Sequence, residues 1–209
     1  MIRQPVLFCA FFALVVSLLF AVALPGVALA EAGFQFGVPN RNFPDDEDVN
    51  GMRASLLWGK NRKTSGFDLG LFSVSQTEVR SGLAIVGGIS RVTGKSDGAV
   101  ALSFMNYHTG EDSGANLAFL NMVNDTRNAF NLGIVQIASG ETAADLGALN
   151  ISKKSKFQIG FVNITEQIDG LQIGFINMAE NGFFPFFPLF NYAKQPDRPA
   201  SREAAPARP

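Results

Sequence analysis

The chain of 209 residues contains a single cysteine, Cys9, and a single histidine, His108. Cys9 lies in an apolar run that we expect to be removed on export. The exported protein should then have no disulfide, no thiolate metal site and no cysteine nucleophile. Charged residues make up only 17% of the chain and almost cancel, leaving a net charge of −1. That balance excludes binding to nucleic acid through bulk positive charge.

The first thirty residues have the pattern of a secretion signal. Arg3 supplies the positive charge, residues 6–24 form an apolar run, and Pro25-Gly26 ends it. Small residues at Ala28 and Ala30 match the site that signal peptidase cuts, so we predict cleavage after Ala30. A retained transmembrane helix is the alternative, because about 19 apolar residues could span a bilayer. Export from a bacterium to the periplasm, the outer membrane or the cell surface is the predicted location.

One eight-residue pattern recurs after the signal: apolar, polar, apolar, small, apolar, apolar, Asn, apolar. Its clearest copies are residues 157–164 (FQIGFVNI) and residues 171–178 (LQIGFINM). A fixed period of this kind indicates a repeat architecture. The small position falls at Gly37, Ser55, Gly70, Ala84, Ser103, Ala118, Gly133, Gly147, Gly160 and Gly174, with a degenerate copy at Pro188. The amides three residues later are Asn106, Asn121, Gln136, Asn150, Asn163, Asn177 and Asn191.

Each repeat is predicted to be a short strand, because its apolar residues alternate and no helical stripe persists. The connectors are rich in Gly, Ser, Asn and Asp, as turns are. We therefore predict an all-β repeat domain over residues 31–193, after a signal peptide at residues 1–30. The composition of residues 194–209, rich in Pro and Ala, predicts a disordered tail.

Two arrangements of these strands fit the pattern. A bend after the small position would let Phe157, Ile159 and Val162 all point into one core. Parallel stacking keeps that bend on one side in every unit and forms a ladder of amides. We therefore predict a repetitive β-solenoid of about 10–11 short rungs. The alternative is an antiparallel up-and-down meander closing into a small β-barrel, since the connectors are short and resemble hairpins.

Prolines are confined to the two ends of the repeat domain. Pro39 and Pro44 lie in the first unit, Pro185 and Pro188 lie in the last, and none lies between them. Proline cannot donate a hydrogen bond to a neighbouring strand, so it belongs on edge strands. The two ends are therefore predicted to be edges protected against further pairing.

The repeats and the closing segment, residues 181–191 (NGFFPFFPLFN), resemble a group of exported bacterial surface repeat-containing proteins built from Gly-Leu-Gln-Ile-Gly-x-x-Asn units. The resemblance covers roughly residues 31–193. It implies an envelope location and no established activity. We expect a non-enzymatic cell-envelope protein with a structural or binding role. The alternative function, which goes with the meander, is a small outer-membrane barrel that acts as a pore or scaffold.

One segment has the chemistry of a metal site. Asp46, Asp48 and Asn50, followed by Gly51, match the first half of a calcium loop, in which oxygen ligands converge around a sharp turn. The acid expected at the twelfth position is replaced by Leu57. A solvated acidic loop is therefore the competing interpretation, and calcium is the only cofactor considered.

No catalytic residue is predicted. His108 stands beside a Gly-containing turn, where we expect an exposed side chain with no serine partner placed beside it by the pattern. Without a defined acid and base, the sequence does not predict an enzyme.

A row of polar residues lies two positions before the small residues. In a parallel stack we expect this row to point outward and to offer a face for glycans or a partner protein. Solvated amides that only fix the strand register are the competing interpretation. A glycan, an envelope protein and an outer-membrane lipid stay open as partners, whereas nucleic acid is not expected. The face is carried by Asn116, Asn131, Asp145, Gln158 and Gln172.

Overall fold

The computed structural model describes residues 32–194, which form a β-solenoid of about nine turns. About 85% of the structure is strand, and no helix occurs among these residues. The predicted signal peptide, with Cys9, and the tail from residue 195 lie outside the described residues. The all-β prediction and the solenoid prediction are confirmed.

Ten strands make one sheet that winds around the solenoid axis. In chain order they are β1 (Ala32–Val38), β2 (Arg41–Phe43), β3 (Asp48–Ser96), β4 (Val100–His108), β5 (Glu111–Asp112), β6 (Ala115–Val123), β7 (Arg127–Leu146), β8 (Leu149–Ile159), β9 (Val162–Ala179) and β10 (Phe186–Tyr192). The longest strands, such as β3, bend at corners and continue into the next coil. Neighbouring coils therefore pair edge to edge along the axis.

Pairing between coils is parallel and follows the repeat. Asn106 is paired with Asn121, and Asn121 with Gln136, so equivalent positions stand above one another. The same holds for Asn150 and Asn163 farther along the chain. The antiparallel meander is therefore wrong. The alternative function as a pore depended on that meander, so the fold does not support it.

The two ends depart from the parallel rule. Strand β2 runs antiparallel to β1, and β10 runs antiparallel to β9, so the degenerate copy at Pro188 turns back on its neighbour. The prediction of 10–11 rungs running the same way is wrong at these ends. Both reversed strands are the outermost strands of the sheet. Pro188 lies within β10, as predicted for an edge strand.

The predicted repeat phase fails at one unit. The residue paired with Ser103 is Val86, whereas Ala84 is paired with Ala101. A register irregularity between Val86 and Ile89 absorbs the difference. The unusually long interval before Ser103 was the sequence sign of this irregularity.

The interior of the coils is polar, and the apolar core predicted around Phe157, Ile159 and Val162 is wrong. Phe157 is 52% exposed and Ile159 is 46% exposed, while the adjacent Gln158 is completely buried. The hydrophobic residues that are buried are mostly Ala and Val. A coil of about 14 residues leaves a narrow interior, which small side chains and amides fill and phenylalanine does not. The bend occurs as predicted but turns both apolar sets outward.

Candidate binding surface

The predicted amide ladder runs through the interior. Asn106 Nδ2 donates to Asn121 Oδ1 at 2.8 Å, and Asn121 Nδ2 donates to Gln136 Oε1 at 2.6 Å. The ladder resumes at Asn150, whose Nδ2 donates to Asn163 Oδ1 at 2.7 Å. Between these runs, Gln136 donates instead to the Leu146 carbonyl oxygen at 3.2 Å. The ladder is therefore confirmed between Asn106 and Asn177, with a break after Gln136. It does not reach Asn191, because Asn177 Nδ2 donates to the Gly174 and Phe187 carbonyl oxygens.

The row predicted to point outward forms a second ladder inside the coils. Asn131 is 1% exposed, and its Nδ2 donates to Asp145 Oδ1 at 2.8 Å. Gln172 Nε2 donates to Gln158 Oε1 at 2.7 Å. Asn116, the fifth member, is 1% exposed and donates to Asn131 Oδ1 at 3.1 Å. The exposed glycan-binding or protein-binding face that these five residues were predicted to form is wrong.

Burial changes the ionisation of the one acid in this second ladder. Asp145 is completely buried, and this desolvation raises the pKa of its carboxyl group. Hydrogen bonds from Thr142, at 2.6 Å, and from Asn131 act in the opposite direction and lower the pKa. Because burial is the larger effect, Asp145 holds its proton to a higher pH than an exposed aspartate does.

A buried group of charges fills the interior of the N-terminal coils. Arg80 Nη2 donates to Asp68 Oδ2 at 3.0 Å, and Arg53 Nη1 lies 3.8 Å from the same oxygen. Burial lowers the pKa of both guanidinium groups, and the Asp68 carboxylate opposes that change. The three side chains are enclosed by the coils, so they present no surface to a ligand.

His108 is also an interior residue, contrary to the prediction that it is exposed in a turn. Its exposed fraction is 1%, and Nδ1 forms a hydrogen bond with Oδ2 of Asp112, which is fully buried. His108 is the last residue of β4 and is paired with Val123, which is also buried. The imidazole therefore contributes a buried polar contact to the stack.

The candidate calcium ligands do not converge around a turn. Asp48, Asn50 and Gly51 lie in strand β3, and Asp48 Oδ2 pairs with Arg62. Asp46 precedes the strand. Within residues 32–194, no cluster of three or more His, Cys, Asp or Glu side chains is placed to hold a metal ion. The turn that the predicted calcium site requires is replaced here by extended chain.

The outer surface carries the feature that sequence reasoning missed. The residue after each small position projects from a corner of the coil, and the aligned set forms a column that we call the apolar ridge. Phe104 is 62% exposed and Phe175 is 64% exposed. Ridge side chains stack between coils, with ring centroids 4.9 Å apart for Phe161 and Phe175. The apolar ridge consists of Phe104, Phe119, Ile134, Ala148, Phe161 and Phe175.

An apolar face flanks the ridge on each side. The column before the small position contains Leu102, Leu117, Leu132, Leu146, Ile159 and Ile173. The column beyond the ridge contains Met105, Leu120, Val135, Leu149, Val162 and Ile176. Parallel pairing keeps the columns in line: in the first column, for example, Leu102, Leu117 and Leu132 are paired in succession, and so are Leu146, Ile159 and Ile173. The ridge and the two columns make one continuous apolar surface.

Charged side chains lie in the connectors, away from this surface. The six eight-residue units from Val100 to Met178 contain one Asp, Glu, Lys, Arg or His residue, the buried Asp145. The connector charges pair between coils: Lys154 Nζ lies 3.0 Å from Asp169 Oδ2 and 3.5 Å from Glu141 Oε2. The solenoid is thus amphipathic around its circumference.

Two open depressions occur on the apolar surface. One, of about 280 Å³, lies beside the ridge and is lined by Ser103, Ala118, Phe119, Leu132, Gly133 and Ile134. The other, of about 110 Å³, lies at the C-terminal end and is lined by Phe183, Phe184, Phe187, Phe190, Asn191 and Tyr192. Neither depression has a charged lining residue. The surface offers extended apolar contact instead of an enclosed pocket.

Comparison with protein-family models, with curated proteins and with solved structures found no match. The resemblance to surface repeat-containing proteins therefore stays a prediction. Residues 32–194 include no helical segment with the length and hydropathy of a membrane span.

Proposed function

We propose that this chain is an exported, non-enzymatic repeat protein of the bacterial cell envelope, with a structural or binding role exerted through the apolar ridge and its flanking faces. The observation that carries the proposal is the arrangement of side chains around each coil. Amides and small residues fill the interior, and the large hydrophobic residues face out. Large exposed apolar patches in folded proteins mark surfaces that contact another molecule.

The extent of the surface supports a binding role. Six coils stacked at about 4.8 Å span about 24 Å along the axis, and an eight-residue unit at about 3.3 Å per residue spans about 26 Å across it, so the patch covers roughly 600 Å². That is the upper end of what a monomer exposes. The N-terminal coils extend it, since Leu56 is 41% exposed and Leu71 is 54% exposed. A covered surface of this size is enough to hold the protein in place.

The envelope location is supported by the signal pattern at residues 1–30. When the full chain is expressed in a Gram-negative bacterium, the mass of the purified protein should correspond to a chain that begins at Glu31. A protein that keeps residues 1–30 and is found in the cytoplasm would contradict the location.

The binding role is tested by fractionating the same cells. We expect the natural chain in the envelope fraction and a variant with Phe104, Phe119, Phe161 and Phe175 replaced by Ser in the soluble periplasmic fraction. A matched variant with four connector charges neutralised, Glu111→Gln, Arg127→Gln, Glu141→Gln and Lys154→Gln, should stay with the envelope. Equal distribution of the natural chain and the ridge variant would contradict the proposed role.

A further inference from the structure

We infer that the partner of the apolar ridge is the hydrocarbon layer of a membrane surface, on which the solenoid lies with its axis parallel to the lipid plane. This inference rests on the proposed function and names the chemistry of its partner. It follows from three features of the described coils: the placement of charge, the direction of the backbone hydrogen bonds and the convex shape of the ridge.

The placement of charge matches the two sides of a membrane boundary. Every exposed charge of the coils from residue 100 to residue 178 lies in a connector, and the connectors pair with one another through Lys154, Glu141 and Asp169. The ridge side carries Phe, Ile, Leu and Val. Helices that lie on membrane surfaces show the same division, with the apolar side buried about 5–10 Å into the boundary between headgroups and acyl chains. The solenoid repeats this division in every coil.

The backbone of the apolar faces can enter hydrocarbon without losing hydrogen bonds. In a parallel stack, the N–H and C=O groups point along the solenoid axis toward the next coil. At the corner itself, Gly147 N donates to Ile159 O at 3.0 Å, and Gly160 N donates to Ile173 O at 3.0 Å. An unpaired backbone group in hydrocarbon costs several kcal/mol, which is why open sheet edges avoid it. The lateral faces here present side chains alone.

The shape of the ridge favours a fluid partner over a second copy of the chain. Phe161 and Val162 are neighbours in sequence that both point outward, which places the ridge on a convex corner between two faces. A second copy is convex at the same position, so contact between two ridges leaves the flanking columns uncovered. Acyl chains flow around a corner and cover the ridge and both columns together. The hydrophobic gain is proportional to the apolar area that is covered, so it then includes the ridge and both columns.

Trp58 gives a direct readout, because it is the one tryptophan of the chain, is 38% exposed and directly follows the exposed Leu56 and Leu57 in sequence. The exported full chain is mixed with phosphatidylcholine vesicles and floated on a density gradient. We expect the protein to rise with the vesicles and Trp58 emission to move to shorter wavelength. Since the contact is apolar, both signals should persist when the salt concentration is raised to 1 M.

Two further comparisons decide the partner. The ridge variant should lose vesicle binding at least about tenfold, and the connector variant should keep it. In a Trp58→Phe background, Phe119→Trp should be quenched by lipids with brominated acyl chains and Glu141→Trp should not. This pair changes single exposed side chains and does not require the ridge variant to fold normally.

These experiments distinguish a failure of the lipid inference from a failure of the proposed function. If the natural chain stays at the bottom of the gradient while its envelope association still depends on the ridge, the partner is a protein and the lipid inference is overturned. If the natural chain sediments as a ridge-dependent dimer and ignores vesicles, a second copy is the occupant and the inference is also overturned. If envelope association does not depend on the ridge at all, the proposed function itself fails.

Discussion

Asn163 and Asn177 occupy the same position in successive coils, and Asn163 Nδ2 donates to Asn177 Oδ1 at 2.8 Å. Asn163 also accepts from Asn150 Nδ2 at 2.7 Å and donates to the Ile173 carbonyl oxygen at 2.9 Å. The Asn163 side chain thus links three successive coils through hydrogen bonds. The same geometry recurs at Asn121, so hydrogen bonding between amides is a repeated element of the interior.

Replacing Asn163 by Ala should destabilise the protein by about 1–3 kcal/mol, because it leaves the buried Asn177 Oδ1 without its donor and removes one acceptor of Asn150 Nδ2. Urea denaturation followed by circular dichroism measures the change. Gln167→Ala in the same coil is the control, since this side chain is exposed, and it should change stability by less than about 0.5 kcal/mol. Equal effects of the two substitutions would show that Asn163 is not part of a buried ladder.

The small position of the repeat is set by the close approach of neighbouring backbones. A Cβ atom added at Gly174 would lie 2.2 Å from the carbonyl oxygen of Gly160 and 2.5 Å from Asn163 Nδ2. Gly174→Ala should therefore force coils apart and cost about 2 kcal/mol or more. Gly33→Ala is the matched control, because no atom lies within 4 Å of the added Cβ. Thermal melting of both variants tests this, and an unchanged melting temperature for Gly174→Ala would contradict the described packing.

Asp145 predicts a specific pH dependence. Burial raises the pKa of its carboxyl group in the folded protein, while the unfolded chain keeps the ordinary value of about 4. Below that value both states are protonated and folding is not penalised. Between about pH 4 and the raised pKa, the unfolded chain has released its proton and the folded chain has not, so the free energy of unfolding falls as the pH rises. Above the raised pKa, Asp145 causes no further change.

The variant Asp145→Asn has no carboxyl group, so its stability should not fall in this pH range for that reason. Its amide oxygen can still accept a hydrogen bond from Asn131. Urea midpoints from pH 4 to pH 8 should show the variant gaining on the natural chain as the pH rises, with the difference levelling off above the raised pKa. A difference that stays constant across this range would mean that Asp145 has no raised pKa.

The stacking of the coils can be predicted from the sequence. An amide at a fixed phase, from Asn106 to Asn177, requires equivalent positions to stand in line, and only parallel coils achieve that. This reasoning predicted the parallel sheet, the ladder and the edge position of Pro188. It failed at Ala84, because the long interval before Ser103 indicates an irregularity but does not say which residue of the preceding coil is paired with Ser103.

The direction of the side chains could not be read from the same pattern. Alternation separates Gln158 from Phe157 and Ile159 but does not say which set faces in, and the usual expectation that hydrophobic residues are buried gave the wrong answer. The length of the repeat indicates which set of side chains faces in. With about 14 residues in a coil, the interior has room for amides, Ser and Ala, so the phenylalanines must lie outside.

The difference in exposure between Ser155 and Phe157 gives the most direct test of the polar interior and apolar outer surface. Ser155 is completely buried and Phe157 is 52% exposed, two residues away in the same strand. In a Cys9→Ser background, Ser155→Cys and Phe157→Cys are each treated with a water-soluble maleimide under native conditions, and the labelling rates are compared with those in urea. We predict that the thiol at 157 reacts at nearly its unfolded rate and that the thiol at 155 is strongly protected. Protection at 157 with rapid labelling at 155 would show that the apolar residues form the core, and the polar interior would then be wrong.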